Sequence, residues 1–231
     1  MLRGSSVFEQ AIANVGRIPR EGWLVGLFAC GLSASSDLAF WTTGQVLSWN
    51  WLAPIIFLAA VWLCAVYFCT AGIAGRSVTF PGYTRFALPS IATLVPLGLT
   101  LALFIFGKPF LTEAARTSVL LVGCVIGFAF ASLSVGWPMA QSMSASFISP
   151  IRVLKATRGY RWRLIFLGFA AAGIGRADLV PDISKAGNVG EAAFIAIADG
   201  FIGLLILGLT AAIAAAGWQF ASHADPTLDP S

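Results

Sequence analysis

Apolar positions in this chain come in long unbroken blocks rather than in alternating stripes. No charge falls between Asp37 and Arg76, between Arg85 and Lys108, or between Arg116 and Arg152. A helix that crosses the hydrocarbon layer needs about 20 predominantly apolar residues, and these blocks supply that length repeatedly. Membrane barrels would instead alternate over segments of about 10 residues. A helix is the open-ended element that satisfies its own backbone in lipid. The pattern therefore predicts an all-α, polytopic membrane protein.

Six spans are expected, arranged as three helical hairpins. The first runs from Trp23 to about Leu47 and contains Asp37. The second covers Leu52–Ile73, the third Leu88–Gly107 and the fourth Thr117 to about Met139. The fifth, Trp162 to Val180, is interrupted by Arg176 and Asp178, and the sixth runs from about Ala193 to Trp218. Pro96 and Pro138 are expected to kink the third and fourth. Before them, Ser6-Val7-Phe8-Glu9 fits the S-x-x-E capping box. Val7, Phe8, Ala11, Ile12 and Val15 then recur at helical spacing, and Gly16 suits a stop. This helix, about 6–16, either lies on the membrane surface or packs on the bundle as a plain cytosolic helix. Residues 1–221 read as one transmembrane helical domain and 222–231 as a flexible polar tail.

Composition agrees with this picture. Of 231 residues, 58% are hydrophobic and 10% charged, against roughly 25% charged in a soluble domain. The 14 basic and 10 acidic residues leave a net charge of +4, but the basic residues are spread through the loops with no basic run interleaved with aromatics, which argues against nucleic-acid binding. With six spans, one side of the membrane holds Arg3, Arg17, Arg20, Arg76, Arg85, Arg152, Lys155, Arg158, Arg161 and Arg163, and the other only Lys108, Arg116, Arg176 and Lys185. By the positive-inside rule both termini are then cytoplasmic, in a bacterial inner membrane. Trp23, Trp137, Trp162 and Trp218 fall at the inner interface, and Trp49 and Trp51 at the outer one. The four cysteines all sit in apolar blocks and read as packing residues.

Ser149 to Arg163 is the most informative segment. Ser149 can cap a helix with Pro150 at its first position, and Gly159 can end it. Arg152, Lys155 and Arg158 then form a basic face, with Ile151 and Leu154 apolar. Together with Arg17, Arg20, Arg161, Arg163 and the anchor Trp162, this predicts contact with anionic headgroups at about 1 kcal/mol per basic residue. The plainer reading is that these residues only enforce topology. The stretch Leu154-Lys155-Ala156-Thr157-Arg158-Gly159-Tyr160-Arg161-Trp162-Arg163-Leu164 resembles the "L-T-R-G-x-R-W-R-L" segment of a bacterial family of six-helix membrane domains. That family includes the membrane domain of glycerophosphodiester phosphodiesterases and free-standing relatives. The helix leading to Arg17–Trp23 is similar too, and together these cover about a sixth of the chain. The resemblance implies six helices; Ala156 departs from the Leu usual at its position, as do Arg176 and Asp178 from an apolar fifth span. It carries over no catalytic residue, because the phosphodiesterase is a separate soluble module.

Charges at membrane depth form a second candidate. Asp37 and Arg176 each lie 14 residues beyond an interfacial tryptophan, about 21 Å along a helix, with Asp178 and Asp199 further toward the outer face. Intramembrane charges face the bundle interior and pair. An Asp37–Arg176 pair, with Asp178 nearby and Ser33, Ser35, Ser36, Thr42 and Thr43 as partners, would line a polar pocket. Alternatively the fifth helix ends near Gly175 and its charges reach water. Along the sixth span Gly200, Gly203, Gly208, Ala212 and Ala216 permit close helix approach, for internal packing or a homo-oligomer.

Catalytic patterns are missing. His223 is the single histidine, and no G-x-S-x-G, H-E-x-x-H or P-loop occurs. No catalytic residue, cofactor or metal site is expected. The leading expectation is a non-catalytic scaffold, assembly or accessory subunit that binds a membrane-protein partner or anionic lipid. Its rival is a small transporter or lipid-handling permease using the pocket near Asp37 and Arg176.

Overall fold

The structure, a computed structural model, describes residues 6–44, 52–174 and 182–229. Within them every regular element is helical. In chain order these are α1 (Val7–Val15), α2 (Arg20–Thr43), α3 (Leu52–Ile73), α4 (Phe80–Phe106), α5 (Glu113–Leu133), α6 (Trp137–Met143), α7 (Pro150–Ala156), α8 (Arg161–Ile174) and α9 (Val189–Ala224). Among the described residues five stretches are long and apolar enough to cross a membrane: Arg20–Thr43, Ile56–Ile73, Phe80–Phe104, Glu113–Met143 and Val189–Ala224. The chain is thus a multi-pass membrane protein. The expected fifth span is described only as the 14 residues of α8. Its remainder, with Arg176 and Asp178, lies outside the described residues, as do Leu47, Trp49 and Trp51.

Side-chain caps open four of these helices, α1, α4, α5 and α9. Glu9 accepts the Ser6 N–H at 2.6 Å and Ser6 Oγ accepts the Glu9 N–H at 3.2 Å, the reciprocal pair expected of a capping box. Thr79 Oγ1 accepts from Gly82 N–H and Thr112 Oγ1 from Ala115 N–H, opening α4 and α5. Asn188 caps Glu191 N–H while Glu191 holds Gly187 N–H, which starts α9. At the end of α2, Gly44 takes φ 58°, a left-handed turn that lets its N–H return to Phe40.

The helices group into two compact units. The first comprises residues 1–12, 79–170 and 213–231, the second 13–78 and 171–212. In the second unit α2 runs antiparallel to α3, with Gly22 against Cys69 and Gly72 against Pro19. It also runs antiparallel to α9, where Gly208 receives the Trp23 ring, Gly26 receives Leu204 and Gly203 meets Trp62 of α3. The glycines of α9 within this unit are therefore used for internal packing. Asn14 is fully buried and donates to the Ala212 carbonyl at 3.2 Å.

In the first unit α4 and α5 form an antiparallel pair, with Thr100 seated on Gly123 and Leu97 on Gly127. Helix α8 follows α5 through Ser132 on Gly168 and the Phe128–Phe169 ring contact at 5.7 Å. The expected fourth span does not continue smoothly to Met139. It breaks at 134–136, where Gly136 lies against the backbone of Gly217 and Trp218 so closely that a Cβ would stand 2.7 Å from the Trp218 nitrogen. Helix α1 packs by Phe8 on Phe166, edge to face at 5.7 Å, and by Gln10 donating to Gln219 at 2.9 Å. Val7 and Ala11 are buried and Ile12 is exposed.

Two expected boundaries are corrected. Residues 222–224 complete α9, and Pro226–Leu228 form a 3-10 turn rather than a loose tail. Leu228 is fully buried and its carbonyl accepts the Trp218 indole N–H at 3.3 Å. Helix α7 stops at Ala156, not Gly159. Thr157 is buried there and its hydroxyl donates to the Val153 carbonyl at 3.0 Å, after which a 3-10 turn, Arg158–Tyr160, leads into α8.

Candidate functional site

The segment α7–α8 carries the densest basic cluster, and the fold sorts its members. Arg152 is engaged within the chain: its Nε donates to Asp225 Oδ2 at 2.7 Å and its Nη2 to Asp225 Oδ1 at 3.1 Å, with Thr227 Oγ1 as a further partner. The Thr227 hydroxyl chiefly holds the Asp225 carboxyl below the usual carboxylate range; desolvation opposes it, and the Arg152 guanidinium adds a further lowering. Arg161 is half-buried and donates through Nη2 to the Leu154 carbonyl at 3.0 Å. Lys155, Arg158 and Arg163 are exposed, and so is Trp162, at 83%. Beside them Ile151 is also exposed. The segment 151–163 therefore exposes three cations, an indole and an aliphatic side chain. Arg17 and Arg20 are exposed in the other unit, on the approach to α2.

Tryptophans divide in the same way. Trp162 projects outward, whereas Trp137 and Trp218 are buried and use their indole N–H groups on the backbone. Trp137 Nε1 donates to the Ile148 carbonyl at 2.7 Å. Gln141 completes that clasp, accepting from Ile148 N–H at 2.8 Å and donating to the Ser146 carbonyl at 3.0 Å. The 144–149 loop is thereby fastened onto α6.

Between α4, α6 and this loop lies a cavity of about 430 Å³. Leu88, Pro89 and Ala92 of α4 form one wall, Trp137 and Phe147 much of the other. Arg85 is the one charged residue among those lining it, and no carboxylate does. Pro89 and Pro96 stand inside α4. Proline has no N–H, so the helical hydrogen bonds to the Arg85 and Ala92 carbonyls are absent beside the cavity.

In the second unit the expected Asp37–Arg176 pair cannot be traced beyond Asp37, because Arg176 and Asp178 lie outside the described residues. Asp37 of α2 is within electrostatic reach of Asp199 of α9, a like charge. Asp37 is half-buried and Asp199 exposed. A smaller cleft of about 150 Å³ lies one turn away, lined by Cys30, Gly31, Ala34, Ile197 and Gly200, and is almost wholly apolar. Of the hydroxyls expected beside Asp37, three donate to their own helix: Ser35 to Gly31, Thr42 and Thr43 to Ala39. Among the described residues no group of three His, Cys, Asp or Glu side chains converges as a metal site requires.

No protein-family model, curated protein or solved structure matches the chain.

Sequence reasoning missed Asp225, Thr227, Arg85 and Gln141. An Asp-Pro-Thr triplet is a turn signal in its own right, since an Asp side chain commonly caps the N–H two residues on. Asp225 does so with Thr227 at 3.2 Å. Gln141 and Arg85 become neighbours of one cavity only through the packing of α6 on α4, which no local pattern announces.

Proposed function

We propose that this is a non-catalytic, multi-pass protein of the bacterial inner membrane, with both termini cytoplasmic, that engages anionic lipid headgroups through α7–α8 and serves as a scaffold or accessory subunit for a membrane-protein partner. The observation that carries the reading is the exposed set Lys155, Arg158, Trp162 and Arg163. An exposed indole flanked by cations suits the headgroup layer, where the ring sits at the interface and the cations meet phosphate. The intramolecular use of Arg152 and Arg161 sharpens this, because it leaves three cations and not five for an external partner. The "L-T-R-G-x-R-W-R-L" resemblance falls on the same segment.

The test is thermal unfolding in detergent with added phosphatidylglycerol or phosphatidylcholine. The wild type should gain stability with the anionic lipid, and the triple variant Lys155→Gln, Arg158→Gln, Arg163→Gln should lose most of that gain. An unchanged response in the triple variant overturns the headgroup assignment. For the scaffold role, native mass spectrometry of protein released from its own membrane should show a stoichiometric protein partner.

A transporter reading is favoured by one observation, the approach of Asp37 to Asp199 within the spans. Paired acids in a water-filled cavity are a hallmark of ion-coupled transport. The cleft beside them is apolar, which weighs toward the first reading.

A further inference from the structure

We propose that the cavity between α4, α6 and the 144–149 loop holds an acyl chain of one anionic glycerophospholipid, with Arg85 on its phosphate. At about 430 Å³ the cavity falls within the range of sites that enclose small molecules. The kind of molecule follows from which polar groups remain available. Both ends of the Gln141 amide are occupied by the loop backbone, and the Trp137 indole N–H is held by Ile148. A sugar or nucleotide needs several side-chain partners, and this wall offers one. That one is Arg85, half-buried and, among the described residues, in no hydrogen bond or ion pair. A partly exposed guanidinium that no carboxylate among the described residues engages is open to an external anion, and its fork of donors matches the oxygens of a phosphate.

The polarity of the site matches an amphiphile. Arg85 and Ala92 are seven residues apart, about 10 Å along α4, so the charge stands at one end of the wall and apolar residues occupy the rest. Arg85 lies one to two turns inside the start of a membrane-spanning helix, a depth at which headgroup gives way to acyl chain. Leu88 and Phe147 are both lining residues and exposed, at 71% and 76%, so the cavity has an open apolar rim through which a chain can enter. This inference deepens the anionic-lipid reading above and rests on its membrane orientation, but it concerns a separate site whose test has a separate readout.

The experiment is native mass spectrometry of the full chain from detergent containing equimolar phosphatidylglycerol and phosphatidylcholine. One phosphatidylglycerol per chain should survive collisional activation that strips the other lipids. Arg85→Gln should lower its retention about tenfold, the scale of one charge-assisted contact, and abolish the preference over phosphatidylcholine, while Arg85→Lys retains part of it. Ala92→Trp, which fills the wall, should lower retention of both lipids; melting temperatures of the variants separate lost binding from lost folding. The triple variant at Lys155, Arg158 and Arg163 should keep the retained lipid, so failure of the headgroup reading and of this one are distinguishable. Wild-type preference in a folded Arg85→Gln protein overturns the proposal. Displacement of the lipid by millimolar inorganic phosphate would assign the site to a free anion, and retention of a fatty acid in place of phosphatidylglycerol would remove the phosphate anchor; either result overturns it too.

Discussion

Arg152 and Asp225, 73 residues apart, meet side by side in a two-point fork that fastens the turn after α9 to α7. Their side chains are 47% and 27% exposed, so water screens the pair and its worth is about 1 kcal/mol or less. Asp225→Asn should therefore lower stability only slightly, yet speed hydrogen exchange of the 225–229 backbone several-fold. Mass-resolved exchange checks this, and a rate equal to wild type would mean that the fork does not hold the turn.

The same carboxylate sets a pH dependence. Its folded-state pKa is depressed, chiefly by the Thr227 hydroxyl and then by Arg152. The contribution is complete above the ordinary carboxylate value of about 3.9 and is lost as the pH falls through the lower folded value. Exchange of 225–229 should accelerate, relative to the intrinsic rate, only below about pH 4. Thr227→Ala should move that onset upward.

Leu228 is the anchor beneath the fork. It is fully buried, with its carbonyl on the Trp218 indole. Leu228→Ala should cost about 2–4 kcal/mol, well beyond the effect of Asp225→Asn. Thermal melts of the two variants in one detergent decide the order.

Glycines separate cleanly by what stands opposite. A Cβ at Gly136 would meet backbone atoms of Gly217 and Trp218 at 2.7–2.8 Å, which no rotamer change can relieve, whereas nothing lies within 4 Å of one at Gly98. Gly136→Ala should unfold or severely destabilise the protein. Gly98→Ala, in an exposed helix interior, should stabilise it by about 0.5–1 kcal/mol. Melting temperatures that moved alike would contradict the close approach.

The proximity of Asp37 to Asp199 sets the sign of a further substitution. Like charges on neighbouring helices repel, so Asp199→Asn should raise the melting temperature by about 1–4 °C. A drop would instead indicate that Asp199 is balanced by a cation.

Most of the fold was legible because the blocks of apolar residues translate directly into helix length. The second span matches α3 at both ends. Helix α4 begins eight residues before its expected start because Thr79 caps a turn whose residues are not especially apolar. The break before α6 was expected at Pro138, yet it comes at Gly136, where the decisive contact is with a helix some 80 residues later. The candidate site was legible in part. A basic run shows which residues carry charge, and only the tertiary partners Asp225 and Leu154 reveal that Arg152 and Arg161 are already occupied. Burial of Asn14 had no local signal, since one asparagine near a helix end reads as surface.

The bond between Gln10 and Gln219 joins residues separated by 209 positions. At synthesis rates of about 5–20 residues per second, α1 leaves the ribosome roughly 10–40 s before the helix that receives it. Phe166 of α8, the ring partner of Phe8, is made before Gln219, so α1 meets α8 first and α9 last. Before either exists, an amphipathic helix is expected to rest on the bilayer surface, which would make the surface-bound and bundle-packed readings of α1 successive stages of one molecule.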